Sequence, residues 1–173
     1  NAFLMPLPDL SSALRSFQQA LDEGQITLRP GSLDPQLFVH LDRPNGELRL
    51  TYVRLENSKV TALVQFIRAD PVEMEPCFSV GWAVPQELWG QGRVGEAFIA
   101  AVKELRYGMA PQGMTAFWIE GVVGADNKAS QRAAEKVISA PVATDADSHA
   151  GVPIVQYLRR IDAETQLLGH RQT

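Results

Sequence analysis

Residues 77–105 constrain the fold most, because an apolar run, a turn rich in proline and glycine, and an amphipathic run follow one another without a break. Cys77-Phe-Ser-Val-Gly-Trp-Ala-Val84 has the composition of a buried strand, and Pro85 to Gly92 punctuates it. From Arg93 onward, Val94, Ala97, Phe98, Ala101, Val102 and Leu105 fall at i, i+3, i+4, i+7, i+8 and i+11, which is one helical stripe. In such a unit the glycines let the backbone approach a ligand. The unpaired N–H groups of the first helical turn then face outward at the positive end of the dipole. That arrangement is an anion cradle suited to a phosphate or pyrophosphate. By spacing alone, a Gly-x-Gly turn is more simply a tight strand-to-helix connection. Two familiar phosphate motifs do not apply. Gly90-Gln-Gly92-Arg-Val-Gly95 does not open a chain-initial βαβ unit followed by an acidic strand end, and the Gly-Lys-Ser/Thr of a P-loop is absent.

The segments on either side predict one mixed α/β domain over 1–173. Asp9 and Ser11 or Ser12 can cap a helix carrying Leu10, Leu14, Phe17 and Leu21, stopped by Gly24. Residues 27–35 read as loop. Three strand-like runs follow at 36–41, 47–55 and 60–68, separated by Pro44-Asn45-Gly46 and Asn57-Ser58, and they predict an antiparallel meander. Asp70 to Pro76 reads as an acidic loop leading into the strand at 77–84. Beyond the central helix, Gly108, Pro111 and Gly113 mark a turn, and Thr115 to Val123 is a second apolar strand interrupted by Glu120 and Gly121. Strand, crossover helix and strand make these two strands parallel. Asp126-Asn127 opens a further helix over 128–137. Residues 138–151 read mostly as loop, 153–160 as a closing strand, and the tail from Asp162 as frayed or a short surface helix.

Composition narrows the function. A net charge of −4 and a pI near 5.4 argue against a nucleic-acid footprint. One cysteine builds no disulfide framework, and three histidines make no zinc cluster, so a reducing, cytoplasmic setting and no metal are expected. No apolar run is long enough to span a membrane. The chain opens at Asn1 without an initiator methionine, and residues 1–8 are too short for a secretory leader, so it reads as a trimmed segment.

Trp89-Gly90-Gln91-Gly92-Arg93-Val94-Gly95-Glu96-Ala97, Ile119-Glu120-Gly121 and Asn127-Lys-Ala-Ser130-Gln-Arg-Ala-Ala-Glu-Lys136 occur in this order. Their spacing resembles the GNAT superfamily of acyl-CoA-dependent N-acetyltransferases, nearest to its ribosomal-protein N-terminal acetyltransferase-like branch. The likeness covers residues 78–136, about half the chain. Val94 stands where a small residue is usual, Ile138-Ser-Ala-Pro141 replaces a Gly-Phe, and the first third departs from the usual opening.

The resemblance implies a central mixed sheet with splayed parallel strands flanked by helices, and acetyl-CoA as cofactor. Backbone groups of Trp82, Ala83 and Val84 would pair with the pantetheine arm, as an added strand does. The loop and first turn, Gly90, Gln91, Gly92, Arg93, Val94 and Gly95, would hold the pyrophosphate, with Arg93 adding a charge-assisted contact or remaining a solvated helix arginine. Asn127 would cap its helix and reach the arm, and Ser130 would meet the thiol end or be a plain helical serine. Trp89 is expected to pack under the loop.

The implied reaction is direct attack of a neutral amine on a thioester in a ternary complex. A lysine-like amine near ~10.4 is neutral in under about one molecule in a thousand at pH 7, and an α-amine near ~7.8 in roughly one in ten. A general base therefore matters greatly for the first and modestly for the second. Glu120 is the first candidate, since it interrupts an apolar strand; the plainer reading pairs it with Arg68 or Arg54. Glu75, at the mouth of the partner strand, is the second. Backbone N–H groups of the splayed strand would stabilise the oxyanion. Relatives place a tyrosine after the second motif and this chain has none there; Tyr157 reads as packing, and His149 lies in a loop. Cys77 reads as a small buried hydrophobe. The acceptor implied is an amine, either a small molecule or a protein N-terminus. Such folds pair through their final strands, which leaves a homodimer open. A catalytically silent CoA-binding or protein-interaction module is the rival, with a nucleotide-binding enzyme a third reading.

Overall fold

The apolar stripe of residues 94–105 and the alternation along the strands meet in one core. A computed structural model describes residues 10–146 and 153–168. Helix α1 (Leu10–Asp22) is followed by β1 (Arg29–Pro30), β2 (Leu37–Asp42), β3 (Arg49–Glu56), β4 (Lys59–Val72) and β5 (Glu75–Ala83). Then come α2 (Arg93–Met109), β6 (Ala116–Gly124), α3 (Lys128–Val137), β7 (Ala143–Ala146) and β8 (Pro153–Asp162). Among the described residues, eight strands form one sheet ordered β1-β2-β3-β4-β5-β6-β8-β7. Every neighbouring pair is antiparallel except β5 and β6.

Strand alternation divides the side chains between the two faces. Tyr52, Val64, Phe66, Phe78, Val80, Phe117, Ile119 and Tyr157 join Ala97, Phe98, Ala101, Val102 and Leu105 of α2 in the larger core. Edge-to-face ring contacts link Phe66 to Phe78 and Phe78 to Phe117. The opposite face is closed in part by α1, whose Leu10 and Leu14 pack with Val53, Val60, Leu63 and Ala83. Gln18 of α1 clasps the β3–β4 turn, its amide nitrogen donating to the Ser58 carbonyl at 3.1 Å and its oxygen accepting from the Val60 N–H at 2.7 Å.

Several segments correct the sequence reading. Residues 70–76 are no acidic loop. Strand β4 runs on to Val72, and Glu73 and Met74 turn the chain with φ of 49° and 65°, a two-residue hairpin turn that passes directly into β5. Residues 29–30 and 143–146 are short edge strands, held by pairing with β2 and β8. Helix α2 continues through Gly108 to Met109. The tail after β8 is docked, with Leu167 buried and the carbonyls of Thr165 and Gln166 accepting from Arg106 and Arg159 at 2.7 and 3.1 Å. Asp9 and His149 lie outside the described residues.

Candidate active site: a splayed strand pair roofed by a helix start

Strands β5 and β6 are hydrogen-bonded only at Cys77–Trp118, Phe78–Ile119 and Ser79–Glu120. Beyond that register they part. Residues 80–83 continue to pair with β4, and residues 121–124 with β8, so each strand offers an unpaired backbone edge to the gap between them. The expected splay is thus a feature of the sheet itself. The gap opens into a cleft of about 2240 Å³. Trp82, Ala83, Val84, residues 89–95, Val122, Val123, Asn127 and Ser130 all line it.

Glycine conformation sets the roof. Gly90 and Gly92 have φ of 77° and 73°, which a side chain adopts only under strain, and these two residues turn the chain from the strand end into α2. Gly92 is the N-cap and has no side chain to satisfy the first amides, so the early N–H groups of α2 stay unpaired within the helix. Across the cleft, the side chain of Asn127 accepts from the Ser130 N–H at 3.1 Å, the cap anticipated for α3.

Trp89 departs from its expected place. The residue is 63% exposed rather than packed beneath the loop. Its indole N–H donates to the Val84 carbonyl at 2.8 Å. That bond ties Trp89 to the end of the strand edge at Val84.

The two carboxylates proposed from sequence sit in different surroundings. Glu120 belongs to the last paired register, at the apex of the splay, where its Oε1 accepts from Ser79 Oγ at 3.3 Å and its Oε2 from Gln156 Nε2 at 2.8 Å. Neither Arg68 nor Arg54 pairs with it: Arg68 lies over the Phe78 ring at 5.5 Å, and Arg54 is taken by Asp34 and Glu96. Glu120 has no ion-pair partner among the described residues. Glu75 starts β5, at the closed end of the strand pair and away from the gap. Arg160 donates to its two oxygens at 2.7 and 2.9 Å and Trp118 Nε1 at 3.1 Å. The guanidinium holds this carboxyl below its ordinary range. Placement and charge both make Glu75 a poor base.

The partners of the charged residues near the roof carried no sequence signal. Arg54 donates to Asp34 at 2.7 Å and also meets Glu96 in the first turn of α2, and Arg93 donates to Glu56 at 3.1 Å. Burial opposes the charge of Arg54, yet its two acidic partners hold it above its ordinary value; in return Arg54 keeps Asp34 low. Glu104 is buried on α2 and accepts the N–H groups of Ser32, Leu33 and Asp34 at 2.9, 2.7 and 2.8 Å, tying that loop to the helix.

Cys77 is buried, and desolvation pushes its thiol up to about 12, which fits the inert hydrophobe expected. No described helix is long and apolar enough to cross a membrane, and no described cluster of His, Cys, Asp and Glu could hold a metal.

No family model and no curated protein sequence matches the chain. Among solved structures it resembles the ribosomal L7/L12 alpha-N-protein acetyltransferase RimL, at 18% identity over 67% of this chain and 72% of that one, with a TM-score of 0.49. RimL in complex with coenzyme A matches at 19% identity and a TM-score of 0.49, covering 67% of this chain and 64% of that one. A ribosomal-protein-S5-alanine acetyltransferase from Vibrio fischeri matches at 13% identity and a TM-score of 0.46, over 69% and 64%. The chain thus spans slightly less than two thirds of the last two.

Proposed function

We propose that the protein is an N-acetyltransferase that moves an acetyl group from acetyl-CoA to a primary amine, by direct attack within a ternary complex. The observation that carries the reading is the parting of β5 and β6 immediately after Ser79 and Glu120, with the glycine-capped start of α2 over the gap. An amide-bearing arm ending in a diphosphate suits this geometry: two unpaired strand edges can take the arm as an added strand, and the α2 amides can take the diphosphate. The cofactor, when bound, supplies the activated acyl group as a thioester.

The chain's residues take the following roles in this reading. Backbone groups of Trp82 and Ala83 align the arm, and unpaired strand N–H groups support charge developing on the acyl oxygen. The amides of residues 91–95 and the guanidinium of Arg93 hold the diphosphate. Asn127 fixes the start of α3, and Ser130 stands one turn in beside the arm. Glu120, free of any cation and oriented by Ser79 and Gln156, accepts the proton of the incoming amine, directly or through water. The acceptor is a protein N-terminal α-amine or a small-molecule amine. Cytoplasmic location and a homodimer formed through the closing strands belong to the same proposal.

One observation favours the silent-module alternative. Among the described residues that line the cleft there is no tyrosine, histidine or cysteine to protonate a departing thiolate, and Tyr157 is buried with no hydrogen-bond partner for its hydroxyl. Thiol release from acetyl-CoA, measured across a panel of peptides with free N-termini, polyamines and lysine, separates the two. The enzyme reading expects release that depends on the acceptor and falls in Glu120→Gln. Saturable CoA binding with no release from any amine would establish the silent module.

A further inference from the structure

Two carboxylates flank the amides at the start of α2, and they are held differently. Glu96 meets Arg54, whose guanidinium also grips Asp34 at 2.7 Å and is largely buried. Two acids and burial commit that cation to the fold. Glu56 ends β3 beside the Asn57–Ser58 turn, and its side chain is 63% exposed. It receives one hydrogen bond from Arg93, at 3.1 Å from Nη1. Arg93 is the first residue of α2 and a cleft-lining cation, and its Nε donates to Gln91 at 3.2 Å.

A one-point ion pair whose carboxylate is exposed and whose guanidinium is about one-quarter exposed, 63% and 27%, is weak: water and salt screen it, and ordering two long side chains costs entropy. A phosphate is the better partner for a guanidinium, because it accepts two parallel N–H bonds and carries a charge that the neighbouring helix amides also favour. We infer that Glu56 competes with a diphosphate-bearing ligand for the guanidinium of Arg93, so that ligand binding exchanges the carboxylate for a phosphate and returns Glu56 to solvent. The inference rests on the acyl-CoA reading above. In it Glu56 is a positioning residue that lowers affinity, whereas Arg54 keeps the first-turn carboxylate, Glu96, paired throughout.

Calorimetric titration of CoA into the wild type, Glu56→Gln, Arg93→Ala and the double variant tests the exchange. Glu56→Gln is expected to tighten CoA about two- to fivefold, the range of an exposed ion pair, and the gain is expected to vanish in the Arg93→Ala background. An equal gain in both backgrounds would mean plain repulsion by Glu56 and would overturn the exchange. Unchanged affinity in Glu56→Gln would overturn it too, leaving the acyl-CoA reading intact. Absence of saturable CoA binding in all four proteins would remove that reading as well.

Discussion

Replacing Gly92 by aspartate separates a glycine kept for a ligand from one kept for a turn. Gly92 has φ of 73°, and a Cβ built on it meets nothing within 4 Å. The substitution therefore costs backbone strain and no clash. Aspartate is among the side chains that best tolerate the left-handed region, so folding should weaken by about 1 kcal/mol, a fall of about 2–4 °C in melting temperature. The effect on a bound diphosphate is larger. A carboxylate about 4 Å from a phosphate opposes it by about 1–4 kcal/mol, depending on how wet the site is. That corresponds to a loss of CoA affinity from about fivefold to several hundredfold. Gly113 supplies the control. It has φ of 82° and equally open surroundings, but it sits at the far end of α2, outside the cleft lining. Gly113→Asp should cost similar stability and leave binding alone. Thermal melts and CoA titrations of both variants check this. If Gly92→Asp folds and binds CoA as tightly as Gly113→Asp, the loop is only a connection and the cradle argument fails.

Further expectations concern other groups. Glu120→Gln keeps a side chain that can still meet Ser79 and Gln156, so CoA affinity should hold while acetyl transfer to an α-amine falls by about tenfold or more, and further for a lysine-like amine; steady-state kinetics on the two acceptors gives the comparison. Cys77, with its thiol pushed up to about 12, should resist iodoacetamide at pH 8 in the native protein and react only after denaturant is added. Asp34 is held below its ordinary 3.8 by Arg54, so its contribution to stability is present above about pH 3.8 and is lost as pH falls through the lowered folded-state value. The difference in melting temperature between wild type and Asp34→Asn should therefore be constant from pH 5 to 7 and shrink below pH 4; a difference that grew on acidification would contradict the assignment.

Local patterning revealed much of this molecule. The six-residue stripe of α2 was readable because a helix face repeats at a fixed spacing, and five of those residues are buried, with Val94 packed at their edge. The meander was readable from alternation and from Asn57-Ser58, whose φ values of 51° and 66° are those of a tight hairpin turn. Long-range pairing was not readable. The partner of Glu75 is Arg160, 85 residues away, and Glu104 meets its loop across 70 to 72 residues. No spacing rule announces either contact. Charge also misled: acidic residues at 70–75 look like loop, but they border a two-residue turn whose side chains face solvent, and the backbone, irregular after Ala69, pairs again at Val72 and Glu75. Strand β7 has too few residues to show a pattern and exists through its pairing with β8.

The central claim is that the unpaired edges of β5 and β6 receive an amide-bearing arm whose diphosphate rests on the first amides of α2. A crystal structure of the complex with coenzyme A measures this directly. The account predicts the arm running beside residues 80–83, with the diphosphate against residues 91–95. Coenzyme bound elsewhere, or β5 and β6 closed along their full length, would contradict it.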